Sequence, residues 1–211
     1  MIQGSEEWIA ARLGKVTASR ISDVTAKTKS GGVSETRNNY MADLISERLT
    51  GKQAEHYVSG AMQNGTDTEA EARAAYQFER GVLVKQQGFI DHPRIAMAGA
   101  SPDGFVGDDG GIEAKCPITK THINYLLGGS IPGGYVGQMQ FQMAVTGRAW
   151  VDWCSYDNRL PENYRLHIRR VHRDDKHIAE LEAAVRVFLD ETRMKLVELT
   201  GRYGAPVREA A

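Results

Sequence analysis

The sequence predicts a mixed α/β fold in which a central β-sheet is flanked by helices. Apolar residues recur at helical spacing in the first part of the chain, as Tyr40, Leu44 and Ile45 illustrate. Short apolar runs divided by glycine, proline and aspartate then follow between Val82 and Pro117, which is typical of strands and hairpins. Helical patterns return after Pro117 and alternate with further strand patterns. This order favours a mixed sheet with helical crossovers.

The first part of the chain is predicted to be helical. Glycines that follow the periodic segments mark the helix ends, and Thr17 or Ser19 is predicted to cap a second short helix. The glycine-containing stretch Lys27–Val33 is interpreted as a mobile loop between helices. The predicted helices are Glu6–Arg12 ending near Gly14, a segment around Tyr40–Leu49 ending at Gly51, and Thr66–Arg80 ending at Gly81.

The second part of the chain alternates between helices and strands. Helices are predicted at Thr119–Leu127 and Gly134–Val145. Trp150–Tyr156 is a predicted strand, and the alternation of Tyr164, Leu166 and Ile168 with polar residues predicts another. A long final helix is capped by Asp174 or Asp175 and ends at about Thr200, before Gly201.

Composition excludes several classes of protein. The 211 residues fit one domain with a full hydrophobic core, and 41% hydrophobic and 25% charged residues are ordinary for a soluble globular protein. No apolar run is long enough to cross a bilayer, and the polar, acidic N-terminus does not resemble a signal peptide, so we expect a cytosolic protein. The two cysteines, Cys116 and Cys154, are interpreted as reduced thiols.

The formal net charge of −1 is not that of a typical nucleic-acid-binding domain. It does not exclude a nuclease, because such an enzyme needs positive charge only where phosphates lie and needs acids at its metal site. The charge balance therefore predicts a local basic lining on a nearly neutral protein.

The residues that carry chemistry lie in two segments, Ser101-Pro102-Asp103-Gly104 and Gly111–Pro117. Glu113 and Lys115 are two positions apart on a predicted strand, so both side chains point to the same face. Asp103 lies in a turn before the preceding strand, and a hairpin brings its carboxylate beside Glu113. Two carboxylates and a lysine are thus predicted to converge on one point.

Hydrolysis of a phosphodiester needs this set of groups. Carboxylates, together with a backbone oxygen such as that of Ala114, suit Mg²⁺, which polarises the phosphate and lowers the pKa of a bound water. A neighbouring lysine orients the attacking water or offsets developing charge. The pattern alone is weakly specific, since a chain of this size shows about one such combination by chance. A glutamate and a lysine on the solvent-facing side of a surface strand explain it equally well.

Other candidate sites are less well supported. The histidines lack the spacing of a zinc site, and no Walker-type phosphate loop is present. Four arginines near the predicted final strands either line a nucleic-acid channel or form the exposed edge of a strand: Arg165, Arg169, Arg170 and Arg173.

Several ordered motifs resemble the lambda exonuclease family of phage-type alkaline exonucleases, also called YqaJ-like viral recombinases. The resemblance covers most of the chain and departs from the family near Asn64, where the family often has an aromatic residue. The motifs that carry the resemblance are Trp8 with Arg12-Leu13-Gly14, Val16-Thr17-Ala18-Ser19, Asn64-Gly65 followed by Glu69, the SPDG and IEAKCP segments, and Tyr135–Phe141.

The resemblance implies a restriction-endonuclease-like core and a set of site residues. The family's acidic pair and lysine fall on Asp103, Glu113 and Lys115, with Ala114 offering its carbonyl to the metal. Its further catalytic residues fall on Glu69 and Gln138, its 5′-phosphate pocket falls on Arg12 and Ser19, and an apolar wedge at the DNA end falls on Met62. Without the resemblance, Arg12 is a surface arginine, Ser19 a helix cap, Gln138 and Gln142 part of an exposed stripe, and Met62 a core residue.

The resemblance also implies an activity and its partners. These are 5′-to-3′ degradation of double-stranded DNA ends with two Mg²⁺ ions or with Mn²⁺ as substitute, release of mononucleotides, 3′ overhangs, a homotrimer, and a single-strand annealing protein as partner. Two alternatives share parts of this prediction. An endonuclease on the same core has no use for a 5′-phosphate pocket, and a DNA-end-binding scaffold without activity has no use for the acids and lysine.

Overall fold

The computed structural model describes residues 3–54 and 60–204, and of residues 60–67 it describes the backbone only. Two 3-10 turns, Ala18–Arg20 and Glu162–Tyr164, accompany the regular elements. The helices are α1 (Glu6–Arg12), α2 (Ile21–Thr25), α3 (Glu35–Thr50), α4 (Gly60–Arg80), α5 (Thr119–Leu126), α6 (Gly133–Thr146) and α7 (Asp175–Tyr203). The strands are β1 (Val16–Thr17), β2 (Val84–Lys85), β3 (Ile90–Asp91), β4 (Ala98–Ala100), β5 (Gly104–Val106), β6 (Gly110–Lys115), β7 (Trp150–Tyr156) and β8 (Leu166–His172).

The strands form a mixed central sheet and a smaller sheet beside it. The central sheet has the order β2-β5-β6-β7-β8, in which β6 pairs antiparallel with β5 and parallel with β7. The smaller sheet has the order β1-β4-β3. The predicted central mixed sheet flanked by helices is therefore confirmed, while the run from Val82 to Pro117 divides between the two sheets.

Local sequence explains most helix boundaries. The Ser5 hydroxyl accepts a hydrogen bond from the Trp8 amide at the start of α1, and the Asp174 carboxylate caps α7 at two amides. Gly147 ends α6 in the left-handed conformation at φ 74°, which costs glycine no steric strain.

Three boundary predictions are wrong. Ser19 does not cap a helix, because it lies inside the 3-10 turn that precedes α2. Helix α7 runs through Gly201 to Tyr203, since a single glycine weakens a helix without ending it when neighbouring turns continue. Tyr164 belongs to the second 3-10 turn, so strand β8 begins at Leu166.

Helix α6 is the centre of the packing. It contacts α2, α7, β7 and the strands β3 and β4 of the smaller sheet, and its residues from Gly137 to Val145 are buried. One apolar cluster joins Phe141 and Val145 to α2, α3 and α7, and another joins Met139 and Met143 to Trp153 on β7. Because α6 is enclosed on several sides, its polar side chains must find partners inside the protein.

Helix α4 is attached to the central sheet by a buried polar cluster. The Tyr76 hydroxyl donates to Asp152 Oδ2 over 2.9 Å, and Arg170 donates from Nε and Nη2 to the two oxygens of Asp152 over 2.8 and 2.9 Å. Arg170 also stacks on the ring of Trp150. This cluster fixes the position of α4 relative to the sheet.

Among the described residues, no helix is long and apolar enough to span a membrane.

Candidate active site

Strand β6 carries two of the predicted catalytic side chains in the middle of the central sheet. Its glycine-rich start lets Trp150 of the neighbouring strand lie flat against it, because a Cβ atom at Gly110 would meet the indole ring at 2.1 Å. Glu113 is buried, and its Oε1 lies 2.5 Å from Nζ of Lys115. The prediction that Glu113 and Lys115 share one face is confirmed by this contact.

Asp103 lies in the turn before β5, as the hairpin argument predicts. Its Oδ2 accepts a hydrogen bond from the Ala114 amide over 2.7 Å, which fixes the carboxylate beside β6. Burial and the charge of Glu113 raise the pKa of Asp103 well above its usual range, and Glu69 adds to this effect while Lys115 opposes it. Asp103 and Glu113 therefore lie where a bound cation would stabilise the negative charge of both carboxylates.

Lys115 remains protonated. Burial by itself would lower its pKa, but the charges of Glu113 and Asp103 and the hydrogen bond to Glu113 outweigh burial, so the pKa of Lys115 is raised. A charged ammonium group orients a water molecule or stabilises negative charge, and it does not accept a proton.

Two glutamines of α6 hold the Glu113 carboxylate from the other side. Gln138 Nε2 donates to Oε1 over 2.7 Å, and Gln142 Nε2 donates to Oε2 over 2.6 Å. Sequence reasoning selected Gln138 but assigned Gln142 to an exposed stripe. Both side chains are buried. The sequence itself does not distinguish Gln142, because the elements that bury it, α2, α7 and the smaller sheet, are brought to α6 by the fold.

A cavity of about 160 Å³ brings the remaining predicted residues to the same point. Glu69 enters it from α4 and forms an ion pair with Arg73. The predicted residues that line the cavity are Arg12, Ser19, Glu69, Asp103, Glu113, Ala114, Lys115 and Gln138.

Arg12 stands at the edge of this cavity on a fixed platform. Its guanidinium lies 4.0 Å from the ring centroid of Trp8, and Trp8 Nε1 donates to Ser101 Oγ over 3.0 Å. Burial lowers the pKa of Arg12. Within residues 3–54 and 68–204, whose side chains are described, the guanidinium has no hydrogen-bond or ion-pair partner. A half-buried guanidinium of this kind is suited to an anion from outside the chain.

Ser19 lies next to Arg12, with a different local structure from the one predicted. Its Oγ is 3.2 Å from Thr17 Oγ1, and both residues also line an adjoining cleft of about 140 Å³ that Arg12 shares. Ser19 is therefore near the arginine without a helix N-terminus behind it.

Two groups of predicted residues are not part of this cavity. Met62 lies in α4, but its side chain is outside the part of the chain whose side chains are described. The four arginines near β8 have internal partners. Arg165 donates to Leu160 O, Arg169 to Gly129 O, Arg170 to Asp152, and Arg173 to Met143 O and Asp175.

The donor set fits a hard divalent cation. Asp103 and Glu113 supply carboxylate oxygens, and Mg²⁺ needs only one or two such ligands because it retains water. Within the described residues, no group of three or more His, Cys, Asp or Glu side chains that could hold a metal ion is found.

Comparison with known proteins identifies the family. The model of the YqaJ-like viral recombinase domain matches residues 7–149, which include every site residue described above. The chain belongs to the YqaJ-like viral recombinase family.

Solved structures agree with this membership of the YqaJ-like family. The alkaline exonuclease LHK-Exo from Laribacter hongkongensis is 51% identical with a TM-score of 0.86, over 94% of this chain and 97% of that one. LHK-Exo in complex with dAMP is 50% identical with a TM-score of 0.88, over 94% and 97% of the two chains. The predicted family, fold and enzyme class are thereby confirmed.

A more distant structure supports the fold alone. A phage-related exonuclease from Haemophilus somnus 129PT is 16% identical with a TM-score of 0.70, over 88% of this chain and 96% of that one. A search of curated protein sequences gives no match.

Proposed function

We propose that this protein is a Mg²⁺-dependent 5′-to-3′ exonuclease of double-stranded DNA that releases mononucleotides and leaves 3′ single-stranded overhangs. The observation that carries the proposal is the meeting of Asp103, Glu113 and Lys115 around one cavity with Arg12, whose guanidinium has no partner among the side chains that the structure describes. The first three residues form a hydrolytic centre, and Arg12 gives that centre a means of recognising an end.

The hydrolytic centre is built to place opposite charges around a phosphate. Asp103, Glu113 and the Ala114 carbonyl would hold the metal, with Mg²⁺ preferred, two ions in place and Mn²⁺ as substitute. When bound, the metal supplies an activated water and neutralises phosphate charge. Lys115 keeps its proton and orients the attacking water, while Gln138 fixes the Glu113 carboxylate and Glu69 adds negative charge on the α4 side of the cavity.

End recognition rests on Arg12. A terminal 5′-phosphate offers oxygens that a guanidinium binds through two parallel hydrogen bonds, and the stacking on Trp8 holds the guanidinium plane in one orientation. Ser19 contributes a hydroxyl donor beside it. Because the phosphate pocket adjoins the hydrolytic centre, the strand whose 5′-phosphate binds Arg12 is the strand that is cut, and degradation proceeds from 5′ to 3′.

A relative supports the proposed product. LHK-Exo has been solved with dAMP, and a nucleoside monophosphate is what stepwise hydrolysis of DNA would release here. In this proposal the enzyme acts as a homotrimer in the cytoplasm of a bacterium or phage-infected host, and a single-strand annealing protein receives the 3′ overhang.

The decisive experiment uses a linear duplex with one 5′-phosphorylated end and one 5′-hydroxyl end, beside a covalently closed circle, with Mg²⁺ or with EDTA. We expect Mg²⁺-dependent loss from the phosphorylated end and an intact circle. A nicked or linearised circle would instead establish an endonuclease. Binding without any product under Mg²⁺ or Mn²⁺ would leave only a DNA-end-binding scaffold.

A further inference from the structure

Gln142 contacts the catalytic Glu113 in a way that the packing of α6 does not require. The side chain is buried, and its Nε2 donates to Glu113 Oε2 over 2.6 Å. The orientation of the amide follows from its partner, because an ionised carboxylate only accepts hydrogen bonds and would repel the amide oxygen.

The other end of the Gln142 amide is left without a partner. Its Oε1 is buried and accepts no hydrogen bond from the residues that the structure describes. An unpaired buried acceptor costs stability. Gln140, two residues earlier on the same helix, is different. Its Nε2 donates to His172 O over 2.8 Å, and its Oε1 accepts from the Asp174 amide over 2.9 Å. Gln140 joins α6 to the start of α7, whereas Gln142 uses its one hydrogen bond on Glu113.

The hydrogen bonds to Glu113 leave little of its carboxylate free. A carboxylate has about four lone-pair positions. Lys115 and Gln138 both bind Oε1, and Gln142 binds Oε2. The free position that remains is therefore on Oε2, and Gln142 fixes the oxygen that carries it.

We propose that Gln142 is a positioning residue that holds the Glu113 carboxylate in the orientation in which its Oε2 would serve the catalytic cation. This inference rests on the proposed metal-dependent function. Without Gln142, the Glu113 carboxylate can turn about the two hydrogen bonds on Oε1, and its free oxygen loses a fixed direction. Partners that orient a metal ligand in this way typically change metal affinity or activity by about 10- to 100-fold when they are removed.

The test compares Gln142→Met with Gln140→Met, which replace two buried amides of one helix by a side chain of similar length. Each variant is measured in three ways. Free Mn²⁺ in solution, followed by electron paramagnetic resonance, gives the metal dissociation constant without DNA. Thermal unfolding in EDTA gives Tm, and digestion of the phosphorylated duplex gives kcat and KM.

We expect Gln142→Met to weaken mainly Mn²⁺ binding and Gln140→Met to reduce mainly thermal stability. Gln142→Met should weaken Mn²⁺ binding by about 10- to 100-fold and lower kcat, with KM for DNA within about twofold of the original protein. Its Tm should fall by less than that of Gln140→Met, because Gln142→Met loses one hydrogen bond and also removes the unpaired Oε1, whereas Gln140→Met loses two hydrogen bonds. Gln140→Met should lower Tm more and keep the Mn²⁺ affinity. A shorter amide, Gln142→Asn, should weaken Mn²⁺ binding and lower kcat in the same way, but it should lower Tm more than Gln142→Met because it leaves a buried amide without a partner.

Two outcomes would overturn the assignment of Gln142, and a third would remove the proposed function on which it rests. Mn²⁺ affinity and kcat of Gln142→Met within about twofold of the original values would show that Glu113 needs no support from Gln142. Failure of Gln142→Met to fold, or a larger loss of Tm than in Gln140→Met, would make Gln142 architectural. An unsubstituted protein that neither binds Mn²⁺ nor degrades DNA would instead remove the proposed function itself.

Discussion

Substituting Arg12 by glutamine tests whether this residue recognises the 5′-phosphate. The change keeps a polar side chain over Trp8 but removes the charge and the paired donors. Arg12 has no ion-pair partner within the part of the chain whose side chains are described, so the substitution removes only the stacking of its guanidinium on Trp8. Because such a contact contributes about 1 kcal/mol or less, Tm should fall by at most about 2–4 °C.

The size of the functional effect follows from the two hydrogen bonds that a guanidinium makes with a phosphate. Hydrogen bonds to charged groups contribute roughly 1.5–3 kcal/mol each. Arg12 is only partly buried, so the lower end applies and the pair contributes about 3 kcal/mol. Since about 1.4 kcal/mol corresponds to a factor of ten, the preference for a phosphorylated end should fall about 100-fold.

The assay measures initial rates on two duplexes that differ only in having a 5′-phosphate or a 5′-hydroxyl. The control is Arg20→Gln, since Arg20 lines the adjoining cleft but forms ion pairs with Asp23 and Asp43. The control should lose stability and keep the preference for the phosphorylated duplex. If Arg12→Gln keeps the preference and Arg20→Gln loses it, the phosphate pocket has been assigned to the wrong arginine.

Three further predictions concern the charges of the site and the core. Lys115→Ala should lower kcat by about 10²- to 10³-fold, the usual effect of removing one preorganised donor, with DNA affinity retained in EDTA; full activity would exclude Lys115 from the mechanism. Mg²⁺ at about 100 times its dissociation constant should stabilise the original protein by about 2.7 kcal/mol, or about 5–10 °C in Tm, and should not stabilise Asp103→Asn. An equal Tm shift in both proteins would place the metal elsewhere. Burial lowers the pKa of His92, whose Nε2 lies 3.2 Å from Glu182 Oε1. The unfolded chain therefore binds a proton at His92 more readily than the folded protein does. The contribution of His92 to the free energy of unfolding is fully present above about pH 6.5, and it is lost as the pH falls through the lower pKa of the folded protein. His92→Gln should flatten the dependence of Tm on pH between about 5 and 7.

The catalytic centre could be predicted because its geometry is local. A strand of alternating side chains places Glu113 and Lys115 together, and the Pro-Asp-Gly turn brings Asp103 to the Ala114 amide. Each of these steps spans a few residues and depends on backbone geometry. Arg12 and Glu69 lie much earlier in the chain and needed the family resemblance, since nothing in their own segments distinguishes them from solvated helix residues.

Gln142 was missed because its meaning depends on three-dimensional packing. Glutamine is usually exposed, and Gln138 and Gln142 share a helical face, so an exposed stripe was the reasonable interpretation. That interpretation fails because the smaller sheet, α2 and α7 cover α6 from directions that the sequence does not reveal. The prediction that Ser19 caps a helix was wrong for a related reason. A 3-10 turn follows Thr17, so α2 starts only after Ser19.

The site is assembled from one part that is deeply anchored and one that is not. Strand β6 pairs along its length with β7 and on its other side with β5. The backbone that carries Glu113 and Lys115 is therefore displaced only when the sheet itself opens. Helix α1 has 7 residues, and Trp8 is its buried residue. Local opening should therefore release α1 long before β6, and its amide hydrogens should exchange with solvent sooner. If Arg12 selects the DNA end as proposed, a molecule under mild thermal stress would lose that choice while Glu113 and Lys115 are still in place, so it would become less selective before it becomes inactive.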